Sequence, residues 1–497
     1  MKLADYLKAI APTASDIQYT QDEQLVISLI LRMDSYKISH PFLYPDGIKG
    51  MTSYGEARVA HSQNIIPFGM QLLIKRYLTQ HITFKDIDNA EAFAFKHLGR
   101  KLFARAAWEK VVTNYDGYLP LTIRAVPEGT QMRGGQPLYT VTVIDDVLAW
   151  MSAAFETMIQ RGVWYPTTIA TQDFEVKQEL KRYYEQTGAD MNLLPFALHD
   201  FGGRGVTCAE QAEIGGAAHT VSFMGSDTIE GILAANFYYK EDMAAYSVVA
   251  SEHAVECSFG NGNENAIKYL RKMLSLAEPG TIVSIVIDGY NVYREAELLC
   301  TSPLKDEIIA SKAKVVFRPD SGDMLEVVPR ILALQETAFG YTMTSKGYKK
   351  INHVGVLQGD GVDRLAINTL LGKLIYSYGY AADVVLFGSG GALLQKCNRD
   401  TLKFAQKACA ILVEVSPGSE DLYWKGIAKD PITDSGKKSK EGVLTVVRSK
   451  MTGELSVGRL DLGPISEDFE DIMQVVYHQG KLYNETTLAE VRYRVSI

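Results

Sequence analysis

The chain has 497 residues, 46% of them hydrophobic and 22% charged, with a formal net charge of −8. That length suits two or three domain-sized units around large cores, and the composition is that of a globular protein. The acid excess leaves no bulk positive field for nucleic acid, so an anionic ligand must be held by local arginines, lysines and helix termini.

The opening MKLADYLKAIAPTASD has one early lysine and no long apolar core, so no signal peptide is expected. No run of about 18 uncharged apolar residues occurs, so no membrane-spanning helix is expected either. The cysteines (Cys208, Cys257, Cys300, Cys397, Cys409) are odd in number, scattered and without a CxxC pair. They read as reduced thiols of a cytoplasmic protein, and as neither a zinc site nor a disulfide frame.

Residues 1–30 read as a helical lead-in with a polar break near residues 12–15. In Asp34-Ser35-Tyr36-Lys37, Asp34 or Ser35 can be a plain helix cap, and the local pattern favours that reading. Residues 51–58 alternate like a strand, and 68–110 carry apolar groups at helical spacing. Residues 118–144 alternate apolar and polar side chains around Pro-Glu-Gly and Arg-Gly-Gly-Gln turns, which predicts antiparallel strands in a second, smaller domain. Residues 147–162 predict a helix ended by Trp164-Tyr165-Pro166-Thr167-Thr168, with another over about 171–187.

A short apolar segment then leads into Leu198-His199-Asp200-Phe201-Gly202-Gly203-Arg204-Gly205-Val206, ahead of a helical run at 209–218. Three glycines let the backbone approach a ligand closely, and Arg204 with the helix start favours an anion. A tight turn with a surface arginine is the competing reading. Residues 223–228 predict a strand, a turn and a helix start, where Asp227 alone can be only a cap. His253, after Ser251-Glu252, is a residue type more often structural than catalytic, but it lies one repeat before Asp288.

Between residues 282 and 391, four short Val- and Ile-rich runs each stop at a polar, glycine-containing turn. The turns are Asp288-Gly289, Arg318-Pro319-Asp320-Ser321-Gly322, Gln358-Gly359-Asp360-Gly361 and Gly388-Ser389-Gly390-Gly391. Such runs read as buried strands, and their spacing of roughly 30–40 residues is that of a parallel α/β barrel with ligand groups at the strand C-termini. After residue 400 the pattern stops. Residues 404–415 alternate in part, 429–440 form a lysine-rich loop that reads by default as solvated, and 443–449 and 471–477 predict strands. The expected division is a helical and β-rich domain over 1–180, completed by 401–497, and a barrel over 181–400 that carries the site.

The strand ends offer acids (Asp227, Asp288, Asp320, Asp360), arginines (Arg204, Arg318), an aromatic ring (Phe201) and a glycine-rich turn. Glycine-lined amides suit a terminal phosphate, acids suit sugar hydroxyls or Mg²⁺, and arginines suit a diphosphate. A flat ring suits a heterocycle. Together they describe a phosphoribosyl donor beside a base. No GxxxxGK[ST] loop and no GxGxxG fingerprint in strand–helix context is present, which argues against a Walker-type hydrolase and a Rossmann dehydrogenase.

Nine motifs, in order, resemble the nicotinamide phosphoribosyltransferase family. They are DSYK at 34–37, YDGYLPLTIRAVPEG at 115–129, WYPTTIAT at 164–171, LHDFGGRGV at 198–206, GSDT at 225–228, SEH at 251–253, RPDSGD at 318–323, QGDGVD at 358–363 and FGSGGALLQK at 387–396. The resemblance implies an irregular α/β barrel of the type II phosphoribosyltransferase kind with a β-rich second domain. It also implies a homodimer with its active site at the subunit interface, and Mg²⁺ and ATP as participants. The implied reaction joins nicotinamide to 5-phosphoribosyl 1-diphosphate. By the same resemblance Phe201 and a partner subunit's Tyr36 sandwich the nicotinamide ring, and Asp227 accepts from its carboxamide. Arg204, His253 and Arg318 meet the diphosphate. Asp288 and Asp320 lie near the ribose and Mg²⁺. Pro319, Gly359, Asp360, Gly390, Gly391 and Arg399 cradle the nucleotide. His253 is the residue phosphorylated by ATP, and Arg58, Lys407, Lys429 and Lys437 meet donor or ATP phosphates.

The chain departs from the family pattern in three places. Gly203 stands where animal members have tyrosine, Gly289 and Asn291 interrupt an SDSYD-like segment, and residues 254–265 diverge. Nicotinate phosphoribosyl transfer is the alternative activity; Asp227 disfavours it, because an acid there repels a carboxylate. A catalytically silent signalling scaffold is disfavoured by the complete set of acids and arginines.

Overall fold

The computed structural model describes residues 27–58, 64–433 and 438–497, so most of the expected lead-in helix and Lys437 lie outside the described residues. Seven parallel strands form the central sheet: β1 (Leu198–Asp200), β2 (Gly225–Ser226), β3 (Val249–Ala250), β4 (Ile282–Val286), β5 (Lys314–Arg318), β6 (Val354–Gln358) and β7 (Val385–Ser389). Their order is β2-β1-β7-β6-β5-β4-β3. The runs that predicted strands in the sequence are buried here on both faces, as a sheet wrapped by helices requires. Tyr246 makes a parallel bridge to Gly225 at the β2 edge, and three residues later Val249 pairs with Val283 of β4. The stretch from Tyr246 to Ala250 thus spans the gap between the two sheet edges and curls the sheet toward a barrel.

Every crossover contains helix, including α2 (Ala209–His219), α3 (Ile229–Tyr239), α4 (His253–Phe259) and α5 (Val292–Leu299). A single turn, α6 (Gly391–Gln395), follows β7. A second, antiparallel seven-stranded sheet pairs Ile48–Glu56 with Ala405–Glu414 on one side and Pro137–Val143 on the other. Thr122–Ala125 then pairs with Gln474–His478, so strands from both halves of the sequence meet in one sheet. No helix among the described residues is long and apolar enough to cross a membrane.

One expectation fails here. Trp164–Thr168 does not end a helix: α1 runs unbroken from Glu156 to Thr187 through Pro166. Proline removes one ladder bond, that to the Gly162 carbonyl. The helix survives because buried threonines replace the lost cohesion. Thr168 and Thr171 donate to the Trp164 and Thr167 carbonyls at 2.6 Å each. The Thr167 and Thr171 hydroxyls also accept the Phe68 and Ile66 amides, strapping an extended segment along the helix. Gly69 lies so close that a Cβ there would sit 2.4 Å from Pro166 Cγ.

Candidate active site

The C-terminal ends of β1–β7 form one rim, and a continuous chain of contacts runs around it. At the end of β1, the Asp200 carboxylate is buried and accepts the Gly202 amide at 2.7 Å, which sets the glycine turn. The Phe201 amide donates to the Ser389 carbonyl of β7 at 2.9 Å. The Phe201 ring then folds across that strand and lies on Gly388, where a Cβ would come within 2.0 Å of the ring. Beneath it sits His199, its ring centroid 6.1 Å from that of Phe201. Burial pushes His199 down to about 4, so its imidazole is neutral at physiological pH.

The β2 end is fixed from two sides. The Asp227 amide donates to the Asp200 carbonyl at 2.9 Å. His219 on α2 is fully buried, bonded to Asp173 at 2.7 Å and to the Gly225 carbonyl at 3.0 Å. Burial alone pulls this imidazole's pKa down, but the Asp173 carboxylate outweighs it and holds the ring above its ordinary value. Asp227 itself is exposed, and the Ser247 hydroxyl donates to its Oδ1, leaving Oδ2 open.

Across the rim, Asp288 follows β4 with its side chain 3% exposed. Its Oδ1 meets His253 Nε2 at 3.1 Å, and its Oδ2 accepts the Asp320 amide at 3.0 Å and the Ser321 hydroxyl. One carboxylate therefore ties α4 to the turn after β5. Asp320 leans over Gly359, where a Cβ would meet its Oδ1 at 2.7 Å. The Ser389 hydroxyl donates to the Val362 carbonyl at 2.8 Å, joining the turns after β6 and β7. The Gly202–Gly205 turn closes the circuit, with Gly205 packed near Gly391.

Two arginines on the rim pair with no acid among the described residues. The Nε of Arg318 is buried with no partner, and Arg204 is exposed with no acid paired to it among the described residues. A desolvated, unpaired guanidinium is an anion site in waiting.

Phe201, Arg204, Asp227, His253, Asp288, Arg318, Pro319, Asp320, Gly359, Asp360, Gly390 and Gly391 all lie at the strand ends or in the turns and helix starts that follow them. Other expected residues do not join them within one chain. Tyr36 is 59% exposed and packs edge-on against His40. Arg58 bonds Glu56 at 2.7 Å, and Lys407 faces Glu156 at 3.6 Å, both on the antiparallel sheet side. The Lys429 amide donates to Ser439 at 2.8 Å, and Arg399 pairs with the neighbouring Asp400 at 3.0 Å.

Sequence reasoning missed Asp200, Ser247, Ser321 and Glu256. Asp200 and Ser321 stand inside quoted motifs, but nothing in their spacing distinguished an anchor from a loop residue. Glu256 is three residues after His253 and shares its helix face, but a lone glutamate there reads as a solvated charge.

Residues 196–481 match the nicotinate phosphoribosyltransferase family model, and residues 28–123 match the N-terminal domain of nicotinamide phosphoribosyltransferase. The chain is 42% identical to a nicotinamide phosphoribosyltransferase of Xanthomonas campestris over 94% of its own length and 97% of the relative's. In fold it is similar to a Pyrococcus furiosus nicotinate-nucleotide pyrophosphorylase, with a TM-score of 0.61 at 16% identity over 95% of this chain and 97% of that one. It is also similar in fold to human nicotinic acid phosphoribosyltransferase, with a TM-score of 0.53 at 14% identity over 93% and 92% of the two chains. A rim that gathers unpaired arginines, acids and glycine turns is what transfer of a phosphoribosyl group requires, and with near full-length identity at this level the chain belongs to the nicotinamide phosphoribosyltransferase family.

Proposed function

We propose that this chain joins nicotinamide to 5-phosphoribosyl 1-diphosphate, giving nicotinamide mononucleotide and diphosphate in NAD salvage. The observation that carries the reading is the unbroken circuit of contacts that sets Phe201, Asp227, Asp288, Asp320 and the glycine turns on one rim beside two unpaired arginines. Purified protein with nicotinamide, the donor and Mg²⁺ should form the mononucleotide, with nicotinate a poor substitute. No product, or equal use of nicotinate, would refute the reading.

The base needs no activation, since its ring nitrogen already carries a lone pair. Phe201 fixes the ring plane by stacking. Asp227 Oδ2, left open by Ser247, accepts from the carboxamide NH₂ and repels a carboxylate in its place. As the anomeric C–O bond breaks, positive charge builds on the ribose and negative charge on the departing diphosphate, which Arg204 and Arg318 stabilise. Asp227→Asn is expected to narrow the preference for nicotinamide over nicotinate by about tenfold, the change that about 1.4 kcal/mol produces. Paired steady-state assays check this, and an unchanged ratio would remove Asp227 as the reader.

Among the described residues no cluster of three or more metal-ligating side chains occurs. Mg²⁺ is proposed to be carried mainly by the substrate diphosphate, with a single protein carboxylate beside it. Asp320 has the hard oxygen donors for it, and its carboxylate accepts no hydrogen bond from the other described residues. When bound there, the ion would neutralise charge on the diphosphate.

ATP is proposed as co-substrate through His253, whose side chain is 45% exposed. Asp288 accepts from Nε2–H, which leaves the lone pair on Nδ1. The γ-phosphoryl would pass to Nδ1, forming a P–N bond as the bond to the ADP oxygen breaks. Water would later release it as phosphate. His253→Ala should abolish phosphate labelling from ATP and the stimulation of synthesis by ATP; a labelled variant protein would exclude His253 as acceptor.

Tyr36, Arg58, Lys407 and Lys429, separate from the rim within one chain, are proposed to complete the site of a neighbouring copy in a homodimer, together with Arg399 and Lys437. All five cysteines are free, which suits a cytoplasmic setting.

A further inference from the structure

The helix that carries His253 and the turn that carries Asp288 touch through a buried acid and a glycine. Glu256, three residues after His253, is 3% exposed and points its carboxyl at Gly289, next to Asp288. The Gly289 amide donates to Glu256 Oε2 at 3.0 Å. A Cβ on Gly289 would lie 2.6 Å from the carboxyl carbon of Glu256 and 2.7 Å from both of its oxygens. The missing side chain at 289 is therefore the space that the Glu256 carboxyl fills.

On its other side Glu256 meets a second acid. Glu295, on α5, is 1% exposed and lies beside Glu256, adding to burial in pushing the Glu256 carboxyl up. Glu295 Oε1 is already held by Arg294 at 2.9 Å. The two oxygens left over, Glu256 Oε1 and Glu295 Oε2, are both buried without any other partner. One proton between them satisfies both atoms. It belongs on Glu256, since the Arg294 guanidinium donates to Glu295 while Glu256 has only the Gly289 amide. Burial and the neighbouring Glu295 both push the Glu256 carboxyl well above the usual carboxylate range, in agreement with that assignment.

Glu256 and His253 sit one turn apart on the same face of α4. The helix is thus joined to the 288–289 turn twice in parallel, by His253 to Asp288 and by Glu256 to Gly289. The first bond is made by the reacting ring, whose charge changes as Nδ1 takes up and loses the phosphoryl group. The second is internal and dry. We propose that Glu256, as a neutral acid locked between Gly289 and Glu295, is a positioning residue that holds α4 in register with the Asp288 turn while His253 takes up and loses phosphate. This rests on the functional reading above.

The test uses three variants of the full chain. Glu256→Gln keeps both bonds, since its amide oxygen accepts from Gly289 and its NH₂ donates to Glu295; it should keep turnover and His253 phosphorylation within about twofold of the parent. Glu256→Asp withdraws the group by one methylene and Glu256→Ala removes it. Both should lower phosphohistidine formation and ATP-stimulated turnover by about tenfold or more, as misplacement of a reacting group does. The KM for nicotinamide should stay within about twofold, because Phe201 and Asp227 follow β1 and β2 and are held by contacts that do not involve α4. Should the alanine variant fail to fold, the comparison of Asp with Gln decides. Parent-like phosphorylation in the Asp variant, or a Gln variant as impaired as the Asp one, would overturn the proposal. An unmutated chain that makes no mononucleotide would instead overturn the functional reading, so the two failures are distinct.

Discussion

Asp288→Ala is expected to cut mononucleotide synthesis by about 10²–10³-fold, the range found when one preorganised polar group is taken from an active site. The carboxylate is nearly dry and saturated: His253 on one oxygen, the Asp320 amide and the Ser321 hydroxyl on the other. Its loss frees the imidazole and releases the turn that carries Arg318 and Asp320, so donor binding and phosphorylation should fail together. Asp288→Asn separates the two roles. An asparagine oxygen turned toward Asp320 and Ser321 keeps the turn anchored, but its NH₂ then faces His253 Nε2. Nε2 must become the acceptor, the proton moves to Nδ1, and the lone pair that would take a phosphoryl group is lost. The Asn variant should therefore retain much of its ATP-independent synthesis while giving no acid-labile phosphate label. Labelling equal to the parent's would show that Asp288 does not set the tautomer.

The barrel was legible because its strands are buried on both faces. Apolar runs of three to six residues that stop at Asp288, Arg318, Gln358 and Gly388 leave little room for any reading but parallel strands with polar turns at one end. The candidate site followed from the same rule, since ligand groups in such folds cluster where strands end. Two things did not follow. Pro166 reads as a stop in the sequence, because proline costs a helix interior about 3 kcal/mol. The pairing of Thr167 and Thr171 with residues 66–68 that helps offset this cost is tertiary, and no local pattern encodes it. The Glu256–Glu295 pair was equally invisible. The two residues are far apart in sequence, and a lone glutamate on a short helix reads as a solvated charge until its partner is known. What the sequence could show was one half of that contact, the unexpected glycine at 289.

The largest effect on the base itself should come from a residue that has no side chain. Gly388→Ala adds one carbon at a point 2.0 Å from Phe201 Cε2 and 2.4 Å from its Cδ2, distances no relaxation of the strand can accept. Gly388 is mid-strand and pairs with His199, so the backbone is held while the ring must leave. Stacking of a flat base on an aromatic ring is worth about 1–3 kcal/mol, so the KM for nicotinamide should rise by about 10–100-fold while the KM for the phosphoribosyl donor changes little. Overpacking of this kind also costs about 1–3 kcal/mol of stability, which thermal unfolding would register and which must be kept apart from the binding loss. A double-mutant cycle separates them. Phe201→Ala should raise the same KM, and adding Gly388→Ala to it should raise the KM no further and cost less stability than in the parent, because the space the methyl needs is then empty. If the two substitutions instead add in full, the ring on Gly388 is not the surface on which nicotinamide lies, and the base must be sought elsewhere on the rim.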